Sequence, residues 1–262
     1  DTKYFSCGET FYPDLLKHLR GAKIFIFLEF FIIAQDEMWQ TILEILKAKA
    51  QEGVEIRVLY DGTCSFMLLP KDYPKTLQQM GIKCEIFSPI VPLISTHYNH
   101  RDHRKIIIID GEIAYTGGIN LANEYINKIE RFGYWKDNMI RFNGEAVNSL
   151  TTLFLESWNL MSLQKRERYS PYLITPKKEE TTGYMLCFGS DPTEVMSTGK
   201  MSYLYFLHTA MTSIDIAMPY FIVDGDFVNA MIYAAKRGVK VRLILPGIPD
   251  KKLINYVAKT YY

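Results

Sequence analysis

The sequence predicts an α/β fold in which a mixed, largely parallel sheet is flanked by helices. Three observations carry that prediction. A β-rich run, "KIFIFLEFFII" (23–33), leads into "DEMWQTILEILKAKAQEG" (36–53), whose Met38, Ile42, Ile45, Leu46 and Ala50 recur at helical spacing. "VEIRVLYDG" (54–62) then returns to strand character. A second set, "SIDIAMPYFIV", "DGDFVNAMIYAAKRG" and "VKVRLILPG" (213–247), repeats the order. Strand, helix and strand in alternation build a parallel sheet covered on both faces. Between the two sets, "IIIID" and Gly111 form a tight Asp-Gly turn, with "EIAYTGG" returning as an antiparallel partner.

The two sets resemble each other. "GVEIRVLYDG" (53–62) and "GVKVRLILPG" (238–247) are identical at four of ten positions and exchange aliphatic residues at three more. Upstream, "EFFI" (29–32) corresponds to "PYFI" (219–222). This is the pattern of an internal repeat. The stretch 164–182, rich in charge and poor in periodicity, reads as a linker. It divides a first lobe, 1–163, from the start of a second, 183–262.

Composition narrows the function classes. Hydrophobic residues make up 48% and charged residues 23% of 262, a globular balance with a formal net charge of +1. No global field recruits nucleic acid, so nucleic acid is not an expected partner, and attraction to phosphate must be local. Cys7, Cys64, Cys84 and Cys187 are widely spaced, which argues against a zinc ribbon or a disulfide framework. The apolar run Ile24–Ala34 is interrupted by Glu29 and is too short to span a bilayer. The chain opens at Asp1 with no initiating methionine and reads as an excised piece of a longer protein.

The chemistry concentrates in "HYNHRDHRKIIIIDGEIAYTGGIN" (97–120). His103 and Lys105 lie at alternate positions leading into a strand and project to one face. An imidazole beside an ammonium can grip a phosphodiester: the nitrogen attacks or protonates, and the cation neutralises nonbridging oxygens. Gly117 and Gly118 allow a backbone to approach a ligand closely, and Asn120 offers an amide donor. A solvated loop leading into a core strand is the competing reading. His97, His100 and His103 at H-x2-H-x2-H spacing do not converge as metal ligands, because the third begins a strand. No metal or other cofactor is expected.

The spacing H-x-K-x4-D, six residues, then G-G-x-N resembles the signature of the phospholipase D superfamily, H-x-K-x4-D-x6-G-S-x-N. Gly118 stands where that consensus has serine. "NHRDHRKIIIIDGEIAYTGGINLANEY", "RFGYWKDN", "LFLESWN", "MPYFIVD" and "GVKVRLILPG" resemble the bacterial cardiolipin synthases within it. The resemblance implies a phospholipase D-like lobe followed by an incomplete second lobe of the same type. It implies that His103 is the nucleophile or its acid/base partner, and that Lys105 and Asn120 bind phosphate oxygens. Asp110 completes the motif, and its strand parity gives it a mainly structural part. Asp137 would orient the imidazole. Glu29, near the carboxyl end of a parallel strand, together with Arg101, Gly117 and Gly118, would line the substrate site.

In that family two such motifs, one per lobe, form one site, and phosphatidyl passes through a phosphohistidine without metal. The implied substrate is phosphatidylglycerol at a membrane surface, and the implied location is the cytoplasmic side of a bacterial plasma membrane. The 185-residue offset between the repeats, applied to His103, places a second motif histidine near position 288, beyond Tyr262. The site would then need a missing carboxyl-terminal half or a second chain, and the chain alone would be inactive or nearly so. The alternatives are a hydrolase or nuclease of the same superfamily, or a noncatalytic lipid-binding lobe.

Overall fold

The computed structural model describes residues 1–90, 101–162, 166–175, 183–191 and 195–262. It divides into two compact units, Asp1–Phe188 and Gly189–Tyr262.

The first unit is built on a seven-stranded sheet: β1 (Thr2–Phe5), β2 (Phe25–Phe30), β3 (Glu55–Asp61), β4 (Lys83–Phe87), β5 (Lys105–Ile109), β6 (Ile113–Gly117) and β7 (Met139–Asn143), in the spatial order β1-β7-β6-β5-β2-β3-β4. β2, β3 and β4 run parallel. β5 turns against β2, and every ladder from there to β1 is antiparallel. The sheet is therefore mixed, as expected. Its parallel part is confined to the strands joined by helical crossovers, and the antiparallel ladders outnumber the parallel ones two to one. The reason is local: Asp110 and Gly111 adopt φ of 56° and 70°, and Glu112 N–H closes the turn onto Ile109 O. A connection that short permits only a hairpin.

The crossovers follow the periodicity. Helix α1 (Gly8–Gly21) buries Phe11, Leu15 and Leu19. Helix α2 (Glu37–Gln51) is capped by the Asp36 carboxylate, which accepts from Trp39 N–H, and it buries Met38, Ile42 and Leu46. Short helices α3 (Gly62–Met67) and α4 (Tyr73–Gln79) connect β3 to β4. On the opposite face, α5 (Ala146–Met161) lays Val147, Leu150, Phe154, Leu155 and Trp158 against Phe25, Phe27, Ile106 and Ile108. β2 is buried at every position, because both faces are covered.

The first unit extends beyond the boundary expected at 163. Within 166–175, Tyr172 packs its ring 5.4 and 5.2 Å from those of Phe25 and Phe27. Asn148 clasps Ile174 through both its amide groups. Farther on, Met185 and Cys187 pack on the α5-side core. The charge of this stretch suggested a solvated linker. Its aromatic and aliphatic residues instead find apolar surface on the sheet.

Buried Arg57 anchors that contact. Its guanidinium pairs with Glu55 and Glu167, donates to Tyr172 Oη, and lies about 5 Å from the ring centres of Phe27, Trp158 and Tyr172.

The second unit contains α6 (Thr198–Thr209), β8 (Ser213–Ala217), α7 (Gly225–Lys236), β9 (Lys240–Ile244) and α8 (Lys252–Ala258), with β8 and β9 parallel. Gly53 and Gly238, matched in sequence, precede β3 and β9 with φ of 90° and 89°, a conformation that favours glycine. Neither β8 nor β9 contains a buried residue, unlike β2. Among the described residues, no helix is long and apolar enough to cross a membrane.

Candidate active site

One end of the sheet gathers the candidate residues. Because β5 runs against β2 and β6 runs against β5, the residues preceding Lys105, those after Phe30 and those after Gly117 emerge at the same edge. Met139 pairs with Gly117, so β7 brings Asp137 and Asn138 there as well.

His103 is exposed, and its ring centre lies 4.8 Å from that of Phe31. Lys105 is buried at 3% exposure, with Nζ 5.5 Å from the same ring centre. Nζ donates to the carbonyl oxygen of His103 at 2.6 Å. Burial pulls the Lys105 ammonium down to about 8, against the charges of Asp102 and Asp137, which favour the cation. The imidazole and ammonium thus meet across one aromatic ring, as their alternation predicts. A partly desolvated cation next to an exposed imidazole is an arrangement that can bind an oxyanion and act on it.

Asp137 is half-buried, and desolvation raises its pKa. The Asn138 amide, the Trp135 side chain and the Lys105 charge oppose the rise. Its position explains the glycines better than ligand approach does. A Cβ on Gly118 would stand 1.9 Å from Asp137 Oδ1, and one on Gly117 would stand 2.5 Å from Asn138 O. What comes close to these two glycines is the protein's own 137–139 segment. Gly118 N–H also donates to Asn138 O at 2.9 Å.

Asn120 is buried and largely engaged. Its Oδ1 accepts from Ile32 N–H at 3.0 Å, and Nδ2 donates to Tyr125 Oη at 2.8 Å. It ties the exit of β2 to the turn Asn123–Ile126, with one Nδ2 hydrogen left over. Arg101 donates from Nη1 to Ser88 O at 2.9 Å and lies 3.5 Å from Asp61 Oδ1, braced on the ends of β3 and β4.

Two candidates are not brought to this cluster. Asp110 sits at the other end of β5, where its carboxylate accepts from the amides of Lys23, Ile24 and Phe25. It locks the start of β2, the structural part that its strand parity suggests. Glu29 reaches the correct end of the sheet on the wrong face. It shares strand parity with Phe25 and Phe27, which pack under α5, and is fully buried. In this structure Glu29 is enclosed and does not line an open surface.

The sequence reading missed Phe31, Asp102, Tyr125 and Trp135. Phe31 was visible only as one residue of an apolar run. Asp102 was one charge among several. His97 and His100 lie outside the described residues. Among the described residues, no group of three His, Cys, Asp or Glu side chains could hold a metal ion.

A family model described as "Cardiolipin synthase, PLD-like domain" matches residues 15–158 and 203–262. A Streptococcus mutans protein described as uncharacterized is 46% identical over 260 residues, 99% of this chain and 56% of its own length. A cardiolipin synthase of Alkalihalophilus pseudofirmus is 35% identical over 266 residues, all of this chain and 52% of its own. The chain spans about half the length of these curated relatives. Among solved structures, phosphatidylserine synthase of Haemophilus influenzae superposes with a TM-score of 0.71 at 14% identity, over 99% of this chain and 67% of that one, a likeness of fold. Together with the sheet that carries His103 and Lys105 at its edge, the family match over most of its length places the chain in the cardiolipin synthase, phospholipase D-like family.

Proposed function

We propose that this chain supplies one half-site of a phosphatidyltransferase that makes cardiolipin from two phosphatidylglycerols, releasing glycerol. The observation that carries the reading is the meeting of the His103 ring and the Lys105 ammonium on Phe31. In this reaction an imidazole nitrogen bonds to phosphorus as the P–O bond to glycerol breaks. The departing oxygen takes a proton from a second acid. The hydroxyl of another phosphatidylglycerol then gives its proton to the conjugate base of that second acid and attacks phosphorus, the N–P bond breaks, and the imidazole is regenerated. His103 serves as nucleophile or as the acid/base partner. Lys105 neutralises a nonbridging oxygen, Asn120 offers its remaining amide hydrogen, and Asp137 orients the imidazole.

In this reading the second acid comes from a second motif outside the described residues of this chain. Two features support a missing complement: the curated relatives are about twice as long, and β8 and β9 form a two-stranded parallel sheet with no buried residue. Parallel strands ordinarily need cover on both faces. Further chain or a second copy would complete that unit and the site. In this reading the protein works at the surface of a bacterial plasma membrane, on its cytoplasmic side.

The test compares this chain with the intact protein, using vesicles of labelled phosphatidylglycerol. Cardiolipin forms with the intact protein, and turnover by the chain alone stays at background. Release of labelled headgroup without cardiolipin would replace transfer by hydrolysis. Cleavage of an oligonucleotide abolished by His103→Ala would make the protein a nuclease. Vesicle binding that survives His103→Ala, with no turnover by either protein, would leave a lipid-binding lobe.

A further inference from the structure

Behind the His103 segment lies a polar cluster that the proposed reaction does not use. Lys105 shares strand parity with Ile107 and Ile109 in the α1/α2 core, whereas Glu29 belongs to the face under α5. Glu29 is fully buried, and Asp102 is 5% exposed. Among the described residues, neither Glu29 oxygen nor Asp102 Oδ2 has a hydrogen-bond partner of ordinary geometry. The charged and polar groups facing Glu29 are Asp102 and Arg104 from the segment before β5 and Ser157 from α5. Arg104 Nη1 is 3.7 Å from Glu29 Oε1 but is directed to Ser157 Oγ, to which it donates at 2.8 Å.

Asp102 is tied into the backbone around His103. Its amide donates to Asp61 Oδ2 at 3.0 Å, and its Oδ1 accepts from Arg104 N–H at 3.1 Å, spanning His103. Asp61 in turn accepts from Thr63 N–H and lies beside Arg101. The Asp102 charge opposes ionisation of Glu29, and Arg104 and Lys105 offset that repulsion only in part. One shared proton removes the repulsion and joins one Glu29 oxygen to Asp102 Oδ2.

We propose that Glu29 is a positioning residue for His103: as a neutral acid it donates to the Asp102 carboxylate, whose other oxygen accepts from Arg104 N–H just past the imidazole. The inference rests on the reading that His103 carries the reaction. Burial, followed by the Asp102 charge, holds the Glu29 carboxyl well above the ordinary glutamate range, with Arg104 and Ser157 opposing. A carboxyl raised in this way contributes stability that is fully present below the unfolded value, about 4.3. That contribution is lost as pH rises through the folded value.

The experiment prepares Glu29→Gln and Glu29→Ala in this chain and reads two quantities, urea stability as a function of pH and the imidazole resonances of His103. Glutamine keeps the shape, the neutrality and one donor. The glutamine variant is expected to fold, to leave the His103 resonances where they are, and to lose stability less steeply than the parent above pH about 5, where Asp137 and Glu85 still contribute a decline. The alanine variant shifts those resonances. If it does not fold, Asp102→Ala serves in its place and is expected to shift them as well. The proposal is overturned if Glu29→Gln fails to fold, shifts His103 as far as the disruptive variant, or leaves the pH decline unchanged. It is equally overturned if neither disruptive variant moves the resonances. Neither readout requires turnover, so failure of phosphatidyl transfer in the intact protein would sink the proposed reaction without touching this result.

Discussion

Gly118 and the Asp137 carboxylate share one space: a Cβ on residue 118 would stand 1.9 Å from Asp137 Oδ1 and 2.7 Å from its Cγ. The glycine in the phosphodiester motif is thus matched to the acid that faces Lys105. A side chain at 118 requires Asp137 to rotate away. Gly118→Ala should destabilise the chain by about 1–3 kcal/mol, the usual cost of overpacking. In an Asp137→Gly background the same change should cost much less, because the obstructing carboxylate is gone. A double-mutant cycle by urea unfolding measures the coupling. Equal costs in both backgrounds would contradict the match.

Asp110 gives the opposite kind of prediction. Its carboxylate accepts from three consecutive amides, those of Lys23, Ile24 and Phe25. Asp110→Ala should lower stability by on the order of 3 kcal/mol, since it strands donors near the start of a buried strand. The intact protein carrying this change should keep its rate per folded molecule. A fall in kcat with unchanged stability would restore Asp110 to the chemistry.

Lys105 should set an alkaline limit. Its ammonium is held down to about 8, first by burial. A phosphate clamp that depends on the cation weakens as pH rises through that value, so kcat/KM should fall on the alkaline side near it. The stability sign runs the other way. A depressed folded pKa contributes stability that is present above the unfolded value, about 10.4, and lost as pH falls through the folded one. The stability of Lys105→Met relative to the parent should therefore be highest near pH 7 and fall by up to about 3 kcal/mol as pH rises to about 10.5. Titration of unfolding free energy between these limits checks it.

Tyr172 should hold the 166–175 segment in place. It accepts from Arg57 at 2.5 Å, donates to Glu55 at 3.1 Å and stacks edge-on to Phe25 and Phe27. Tyr172→Ala should expose this segment to limited proteolysis while the seven-stranded sheet stays protected from hydrogen exchange. Unchanged cleavage would show that Asn148 and its neighbours suffice.

Much of the fold was legible because local and global preferences agree in it. The β2-α2-β3 unit announces itself through Met38, Ile42 and Leu46 between two aliphatic runs. The Asp110-Gly111 pair specifies the turn that makes the sheet mixed. Alternation put His103 and Lys105 on one side of the strand, and both side chains reach Phe31. The failures occurred where one-dimensional cues do not report which face is covered. Glu29 looked like a site residue because strand-end acids often are, but α5 closes its face. Gly117 and Gly118 looked like ligand contacts, although their close neighbour comes from residues 137–139, nearly twenty positions away. The boundary near 163 was misplaced because charge hid the aromatics that dock 166–175 on Phe25 and Phe27.

The most direct measurement is conversion of labelled phosphatidylglycerol to cardiolipin by the intact protein, with and without His103→Ala. The account predicts that the parent forms cardiolipin and that the variant, folded and still bound to vesicles, loses about 10²–10⁴-fold or more of that rate. Cardiolipin formed at the parental rate by the variant would contradict it, and His103 and Lys105 would then be a strand's mouth without chemistry.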